Sequence, residues 1–434
     1  MTVLVTRTSA AIGAASLLLG GPALAQTAPA SGGATTALPA IEVTAPRPRQ
    51  VPKRPKKPVV TTARRNEPTA PPPTGAQLVA GKNDTLDTAR QAIVAPVGAN
   101  QYAMNHQAIE ALPQGANTSL DKVLLQTPGV SQDSAASGDL HVRNEHANLQ
   151  YRINGIMLPD GVGAFGQIID TGIVGSLALI TGALPAQYGL RTAGVLDIQT
   201  KADAFNNSGS VSLYGGSHGT ITPSIEYGGT VGQTQYFVSG RYFGSDLGIE
   251  NPTSSNEAIH DRTSQEKGFL YLSTLIDPTS RLTFMSGVSN SSFQIPNNPG
   301  QAPGFTAFGV SNFDSSQLNE RQTEFNQFNV LAYQTSHDGF DSQLSYFNRT
   351  SLLHFAPDVI GDLVFNGVAS DVYRQSLING IQEDASYRIG FAHTLRFGFS
   401  VSAERSMVNN ISTLLPVDSG GTPFDAPLDR KSVV

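Results

Sequence analysis

The chain contains no cysteine and carries little charge for its length. Across 434 residues there is no Cys, and only 14% of the residues are charged. The absence of Cys excludes a small exported fold held together by disulfides. The low charge, together with 43 glycines, favours β-structure with many turns over a helical enzyme. No segment beyond the N-terminus reaches about 18 uninterrupted apolar residues, so we expect no transmembrane helix.

Residues 1–25 have the three parts of a secretory signal peptide. Arg7 supplies a positive charge, and Ala10 to Leu19 form an apolar run that is too short to span a bilayer. Ala23-Leu24-Ala25 follows as a small-residue cleavage site. We therefore predict an exported protein whose mature chain begins at Gln26. The alternative is a short buried helix.

Residues 26–80 are rich in Pro, Ala, Thr and Gly, and residues 46–67 hold eight basic side chains against one acidic. Repeated prolines favour extended polyproline conformations, so we predict a disordered tether with a long reach. The basic charge would also suit nucleic-acid binding. Because an export signal precedes it, we interpret the stretch as a periplasmic tether and expect no nucleic-acid partner.

One short β-prone island interrupts this tether. Ile41, Glu42, Val43, Thr44 and Ala45 form an alternating strand with no partner in the surrounding sequence. Such a segment suits addition to the sheet edge of another protein, where main-chain hydrogen bonds supply affinity. The alternative is a chance cluster of β-branched residues.

Residues 81–203 are predicted to form a compact α/β domain. Residues 106–112 form a short helical region before Pro113, and residues 118–121 match a capping box that opens a helix through Leu125. Short strands are predicted at 140–143, 149–153, 179–181 and 195–200. These elements are too short and too few to form the core of a large enzyme.

In the second half of the chain, apolar and polar residues alternate with a period of two. Leu395, Phe397, Phe399 and Val401 point to one face, and the polar residues between them point to the other. This alternation is typical of strands that lie between lipid and a wet lumen. The predicted strands are 209–216, 221–228, 235–243, 268–276, 281–289, 324–335, 342–349, 377–389 and 393–404. The alternative is a soluble β-sandwich or β-helix.

No pattern in the sequence indicates catalysis or metal binding. The eight His are scattered without the i, i+4 spacing of a zinc site. No Gly-x-Ser-x-Gly nucleophile elbow occurs, and Gly161-Val162-Gly163 lacks the Lys-Ser/Thr of a phosphate loop. We therefore expect no enzymatic activity, no metal site and no cofactor.

Several segments resemble, in order, the plug domain of TonB-dependent outer-membrane receptors. They are residues 109–113, 120–130, 140–143, 151–159 and 177–201, with the motif residues Pro128, Gly129, Val130, Asn154, Gly155, Tyr188, Gly189 and Gly194. Asn144 replaces the usual Gly of one turn, and Asn154 replaces the common Asp of another. Since Asn tolerates left-handed backbone, we expect both turns to be kept. Residues 38–46 resemble the TonB box that precedes such a plug.

The resemblance implies an α/β plug followed by an antiparallel membrane β-barrel, with 22 strands in the family. It implies energy-coupled uptake of a scarce solute, first of all a ferric siderophore, across a Gram-negative outer membrane. TonB would bind Ile41 to Ala45 and draw energy through ExbB and ExbD, while plug and tether reach the periplasm. His141, Arg143 and His146 are candidate substrate contacts. The alternatives are a surface or turn role for the histidines, and bridges to the barrel for the plug arginines Arg143 and Arg152.

The number of predicted strands falls short of such a barrel. About nine are predicted in residues 204–434, whereas plugged transporters need about 22 strands. Residues 429–434 lack the alternating strand with a terminal aromatic residue that is typical of outer-membrane proteins in this family, so we expect a fragment or a truncated reading frame. A non-functional truncated receptor is one alternative function. A passive porin-like or surface-structural barrel is the remaining alternative, although porins have neither a plug nor a tether motif.

Overall fold

The polypeptide forms a small α/β domain followed by a long antiparallel sheet. A computed structural model describes residues 73–94, 99–132, 140–146, 149–163, 165–166, 168–189, 191–201, 203–250, 259–417, 422 and 428–433. The predicted signal peptide, most of the tether and Ile41 to Ala45 lie outside these residues. All described residues belong to one unit, in which the domain and the sheet share a core.

The α/β domain contains three helices and eight short strands. They are α1 (Gly75–Ile93), β1 (Ala99–Asn105), α2 (His106–Glu110), α3 (Leu120–Leu124), β2 (Val130–Gln132), β3 (Leu140–Val142), β4 (Glu145–His146), β5 (Leu149–Ile153), β6 (Ile156–Leu158), β7 (Val174–Gly182) and β8 (Gly194–Thr200). Five strands form one sheet in the order β1-β7-β8-β5-β6, in which only the β5–β8 pair is parallel. Strands β2, β3 and β4 form a second, small sheet.

Ten strands form the third sheet, which we call the wall. They are β9 (Ser208–Gly215), β10 (Ile221–Val231), β11 (Thr234–Ser245), β12 (Thr263–Asp277), β13 (Ser280–Gln294), β14 (Arg321–His337), β15 (Phe340–Ala356), β16 (Val368–Ile389), β17 (His393–Leu414) and β18 (Leu428–Val433). Each strand pairs antiparallel with the next one in sequence. A fourth helix, α4 (Val359–Asn366), lies between β15 and β16.

The wall has two unlike ends. Short turns at 232–233, 278–279, 338–339 and 390–392 define its short-turn end, and the longer connections 246–262, 295–320 and 357–367 define its long-loop end. Gly232, Gly339 and Gly390 adopt positive φ in three of the short turns, where a residue without a side chain is favoured. The alternation of short turns and long loops confirms the predicted strand pairing.

The two faces of the wall differ as the sequence period predicts. On β14 the residues from Gln322 to Gln334 alternate between buried inward and exposed outward positions. Glu324 and Phe328 are 1% exposed on the inner side, whereas Leu331 and Tyr333 are at least 40% exposed on the outer side. Apolar side chains of the α/β domain pack against the inner aromatic residues of the wall in one continuous core.

The structure confirms the nine predicted wall strands and extends most of them. It also adds β18, a strand that was not predicted, which pairs with residues 409–414 of β17. Helices α1 and α4 were not predicted. Because α1 starts at Gly75, the predicted tether of residues 26–80 overlaps an ordered helix. Thr74 caps this helix with Gln77 in a reciprocal capping box.

Two local predictions in the α/β domain are also wrong. The capping box predicted at residues 118–121 does not form, because the N-cap of α3 is Ser119 and no side chain caps it. The strand predicted at 140–143 ends at Val142, and Arg143 lies in the turn that follows. Strands β1, β2, β4 and β6 were not predicted. Of these, β2, β4 and β6 have only two or three residues each, too few to show a period. Among the described residues, no helix is both long enough and apolar enough to cross a bilayer.

Candidate functional site

Helix α1 is fastened inside the short-turn end of the wall by a buried arginine. Arg281, 1% exposed, donates to Asn83 Oδ1 at 3.1 Å and forms an ion pair with Asp87. Gln334 of the neighbouring strand accepts from Arg281 Nε at 3.0 Å and donates to the Leu86 carbonyl oxygen. Leu86 also packs with apolar partners from helix and wall, so both polar and apolar contacts hold α1.

The same network continues from α1 into the five-stranded sheet of the α/β domain. Arg90 pairs with Asp87 at 2.9 Å and donates to Gln199 Oε1 on β8 at 2.7 Å. Burial raises the pKa of Asp87, but the charges of Arg90 and Arg281 and their hydrogen bonds outweigh it and hold the pKa below the ordinary value. The helix is thus linked electrostatically to both the wall and the sheet.

A second set of contacts holds the turn between β5 and β6. Asn154 and Gly155 adopt left-handed backbone with φ of 49° and 79°, as expected for this turn. Their carbonyl oxygens accept from Gln343 and Gln382 of the wall, each at 3.2 Å. Gln382 Oε1 also accepts from the Met157 amide at 2.9 Å. Two glutamines of the wall therefore hold the backbone of this turn by hydrogen bonds.

Arg152 confirms the expected bridge from the α/β domain to the wall. Its Nη1 lies 3.7 Å from Asp384 Oδ2, and its guanidinium lies 4.8 Å from the centre of the Tyr188 ring. It also donates to the backbone carbonyl oxygens of Gly155 and Gln187, both at 3.0 Å. These contacts give Arg152 a structural role in joining the α/β domain to the wall.

Nearer the long-loop end, the wall holds the glycine-rich loop of residues 159–166. The Glu324 carboxylate accepts from the Phe165 and Gly166 amides at 2.9 and 3.0 Å. A Cβ at Gly166 would lie 2.9 Å from Glu324 Oε2, so a larger residue would require the carboxylate to shift. Ser351 accepts from the Val162 amide at 2.8 Å, and Arg349 donates to the Pro159 carbonyl oxygen at 2.5 Å.

The predicted substrate contacts lie together on one hairpin. His141 and His146 are partners across β3 and β4, with Nε2 and Nδ1 3.4 Å apart and ring centroids 4.9 Å apart. Arg143 and Asn144 form the turn with φ of 54° and 65°. The expected left-handed Asn144 is therefore present, and Arg143 is exposed at the tip. Among the described residues, no cluster of His, Asp or Glu could hold a metal ion.

The other motif residues serve the backbone of the α/β domain. Gly129, with φ of 76°, accepts from the Arg143 amide through its carbonyl oxygen at 2.8 Å, between Pro128 and Val130 at the start of β2. Tyr188 is 3% exposed, and Gly189 follows it with φ of 36°. A Cβ at Gly194 would lie 3.0 Å from the Ile180 carbonyl oxygen. These residues shape turns and strand contacts, and three of them, Pro128, Gly129 and Gly189, are exposed.

Comparison with known proteins gives a consistent set of structural relatives. No protein-family model and no curated protein sequence matches the chain. The ferripyoverdine receptor of the Pseudomonas aeruginosa outer membrane superposes with a TM-score of 0.56 at 14% identity, covering 77% of this chain and 48% of the receptor. BauA, the ferric preacinetobactin receptor of Acinetobacter baumannii, gives 0.51 at 10% identity, covering 77% and 50%. The unliganded ferric citrate transporter FecA gives 0.50 at 14%, covering 76% and 51%.

The chain has the fold of the TonB-dependent siderophore receptors. The α/β domain thus corresponds to the plug of these receptors, and the wall to a part of their barrel, as the resemblance implied. The chain spans about half the length of these solved receptors. The matched proteins are transport receptors and not enzymes.

The wall residues that hold the plug were not predicted from the sequence. Arg281, Glu324, Arg349 and Gln382 all occupy inward positions of strands with a period of two. A charged residue at an inward position is a usable signal, because burial without a partner is costly. The partner itself is not predictable from the pattern, since the plug contributes mainly backbone groups.

Proposed function

We propose that this protein is an outer-membrane receptor that takes up a scarce solute, first of all a ferric chelate, with energy supplied by TonB. One observation carries the proposal: a plug domain is bonded to the inner face of the wall along its whole height, from α1 to the loop at Glu324. A passive pore gains nothing from such a domain. Uptake past it requires the plug to rearrange, and therefore an energy source.

The orientation follows from the same architecture. We infer that the short-turn end faces the periplasm and the long-loop end faces the outside, as is usual for outer-membrane barrels. Helix α1 then lies at the periplasmic end, directly after the tether that carries Ile41 to Ala45. We propose that this island adds as a strand to the C-terminal domain of TonB, with ExbB and ExbD acting through TonB.

The solute is proposed from chemistry and from the structural relatives. Those relatives are receptors for ferripyoverdine, ferric preacinetobactin and ferric citrate. In the inferred orientation, the hairpin with His141, Arg143 and His146 belongs to the plug surface that a solute meets. We propose Arg143 as an anion contact because its side chain is exposed at the hairpin tip. The two histidines contact each other and support that tip.

A binding measurement with the whole chain tests the TonB step. The purified chain in detergent should bind the TonB C-terminal domain, and Val43→Pro should abolish binding because proline removes a ladder donor in the middle of the added strand. Thr62→Pro, in the same tether but outside the island, should bind like the unchanged chain. Absence of binding by the unchanged chain, or equal binding by both variants, would refute the assignment.

A further inference from the structure

A pocket lies between the plug and the first strands of the wall. Its volume is about 190 Å³, and its lining includes Asp121 and Asp170 of the plug and Arg241 and Lys267 of the wall. Thr263, at the long-loop end of β12, also lines it. This pocket is separate from the hairpin at Arg143, and none of the predicted substrate contacts lines it.

Two cationic side chains face this pocket from paired positions on neighbouring strands. Arg241 on β11 and Lys267 on β12 are cross-strand partners, and both lie at inward positions. Like charges in this arrangement repel and require compensation. Asp170 compensates one of them, because its Oδ2 lies 2.7 Å from Arg241 Nε. Asn117 Oδ1 and the Ala116 carbonyl oxygen also accept from Arg241 Nη1, at 2.8 and 3.1 Å, so the guanidinium has both an anionic partner and hydrogen-bond partners.

The second cation has no comparable partner. Within the part of the chain that the structure describes, no hydrogen bond or ion pair ends on the Lys267 ammonium; Asp170 and Asp121 act on it only at longer range. The charged groups lining the pocket are Asp121, Lys122, Asp170, Arg241 and Lys267. They leave one net positive charge, and an oxyanion would give Lys267 the direct partner it lacks.

The pocket also offers an apolar surface beside this charge. Phe165 of the plug and Phe293 of the wall meet edge to face, with ring centroids 5.4 Å apart, and both belong to the lining. Binding sites for small organic molecules combine such aromatic surface with a few fixed polar groups. A bare inorganic anion would use the charge and leave the aromatic surface unused.

We propose that this pocket binds a small organic acid, with a carboxylate of the ligand paired to the Lys267 ammonium. The binding itself depends only on the geometry above. In the transport cycle the pocket would receive the acidic part of the solute between plug and wall, and this last step rests on the proposed function.

Calorimetric titration of the purified full chain in detergent tests the proposal, with citrate as the probe. Citrate should bind the unchanged chain, and Lys267→Met should weaken the affinity at least about tenfold because it removes the charge at similar volume. Lys82→Met is the matched control, since Lys82 is exposed on α1 outside the pocket. Inorganic phosphate should bind more weakly than citrate. Equal citrate affinity in the two variants, or a folded chain that binds no citrate, would overturn the proposal.

A second measurement covers the case in which Lys267→Met does not fold. Reductive methylation of the unchanged chain, followed by mass spectrometry, should show that citrate slows modification of Lys267 and leaves Lys82 unaffected. Protection of both lysines or of neither counts against the pocket. Neither experiment uses TonB, so citrate binding and TonB binding fail independently.

Discussion

At the scale of single residues, glycines set how closely the wall packs on itself. Gly287 pairs across strands with Phe328, and a Cβ there would lie 2.2 Å from the phenyl ring. Gly380 and Phe347 repeat this arrangement. Each ring covers a glycine on the neighbouring strand and fills the inner face of the wall under the plug.

Gly287→Ala should therefore destabilise the protein. The methyl group would force Phe328 out of its rotamer or move the strands apart, which costs about 1–3 kcal/mol. Denaturant unfolding in detergent measures the loss. Gly240→Ala is the control, since its Cβ would meet only Ile225 Cγ2 at an ordinary 3.6 Å. Equal stability of the two variants would show that the phenyl ring adapts at no cost.

The residue scale also shows where sequence reasoning reached its limit. Asn144 and Asn154 were expected in left-handed turns and are found there, because a short polar side chain after a strand is a local signal. Arg241 and Asp170 are far apart in sequence and meet only through the fold. Such pairs follow from how the plug sits against the wall, and no local pattern carries that information.

At the scale of elements, α1 depends on wall contacts as much as on its own sequence. Arg281→Met should loosen the helix, because it leaves Asn83 and Asp87 without their buried partner. Hydrogen exchange should then accelerate in Gly75–Ile93 and stay unchanged in α3. Arg321→Met, an exposed change in the same wall, should alter neither helix. Uniform acceleration in both helices would instead indicate a general loss of stability.

A protonated carboxyl group on helix α4, that of Asp362, should make the stability of the protein depend on pH. Burial, then the hydrogen bond and negative charge of Glu320 and the charge of Asp358, raise the pKa of Asp362 to about 8 from an ordinary value of 3.8. The folded state therefore holds a proton that the unfolded state lacks between these values. Its contribution to stability is complete below pH 3.8 and is lost as the pH rises through about 8.

Asp362→Asn should flatten this dependence, since the amide keeps a donor for Glu320 and has no proton to lose. Thermal unfolding in detergent at several pH values from about 5 to 9 should show a smaller decline for Asp362→Asn than for the unchanged chain. Asp338→Asn, at an exposed short turn, should leave the decline as it was. An unchanged slope in Asp362→Asn would assign the dependence to other groups.

Elements in which apolar and polar residues alternate over a long stretch were predictable from the sequence, and elements without such a stretch were not. The nine wall strands show alternation over many residues, so their existence and faces followed from the sequence. Helix α1 lacks a strong apolar face and follows a proline-rich stretch, and β18 carries charged residues at its edge position. Helix α1 is stabilised by contacts with strands far away in sequence, which a local pattern does not reveal, and among the described residues β18 pairs only with β17 at the edge of the wall.

At the scale of the whole molecule, the wall separates two environments. Its inner face meets the plug through polar groups and a shared aromatic core, and its outer face exposes apolar side chains in mid-strand. Leu331 shows this clearly: it is 44% exposed and stands between Phe284 and Tyr346 on the flanking strands. A lipid layer would cover such a band and remove it from water, which is the physical basis for proposing an outer-membrane protein.

Leu331→Arg should therefore impair insertion in a way that depends on depth. An arginine on the lipid face costs about 2–4 kcal/mol at the middle of the bilayer and about 0–1 near its surfaces. Thr323→Arg is the matched control, because Thr323 lies on the same outer face of β14 but near its long-loop end. Folding into phosphatidylcholine vesicles, followed by heat-dependent gel mobility, measures the folded fraction of each variant. If both variants insert equally well, the outer face of this wall does not contact the hydrocarbon layer, and a soluble sheet packed on another surface becomes the better interpretation.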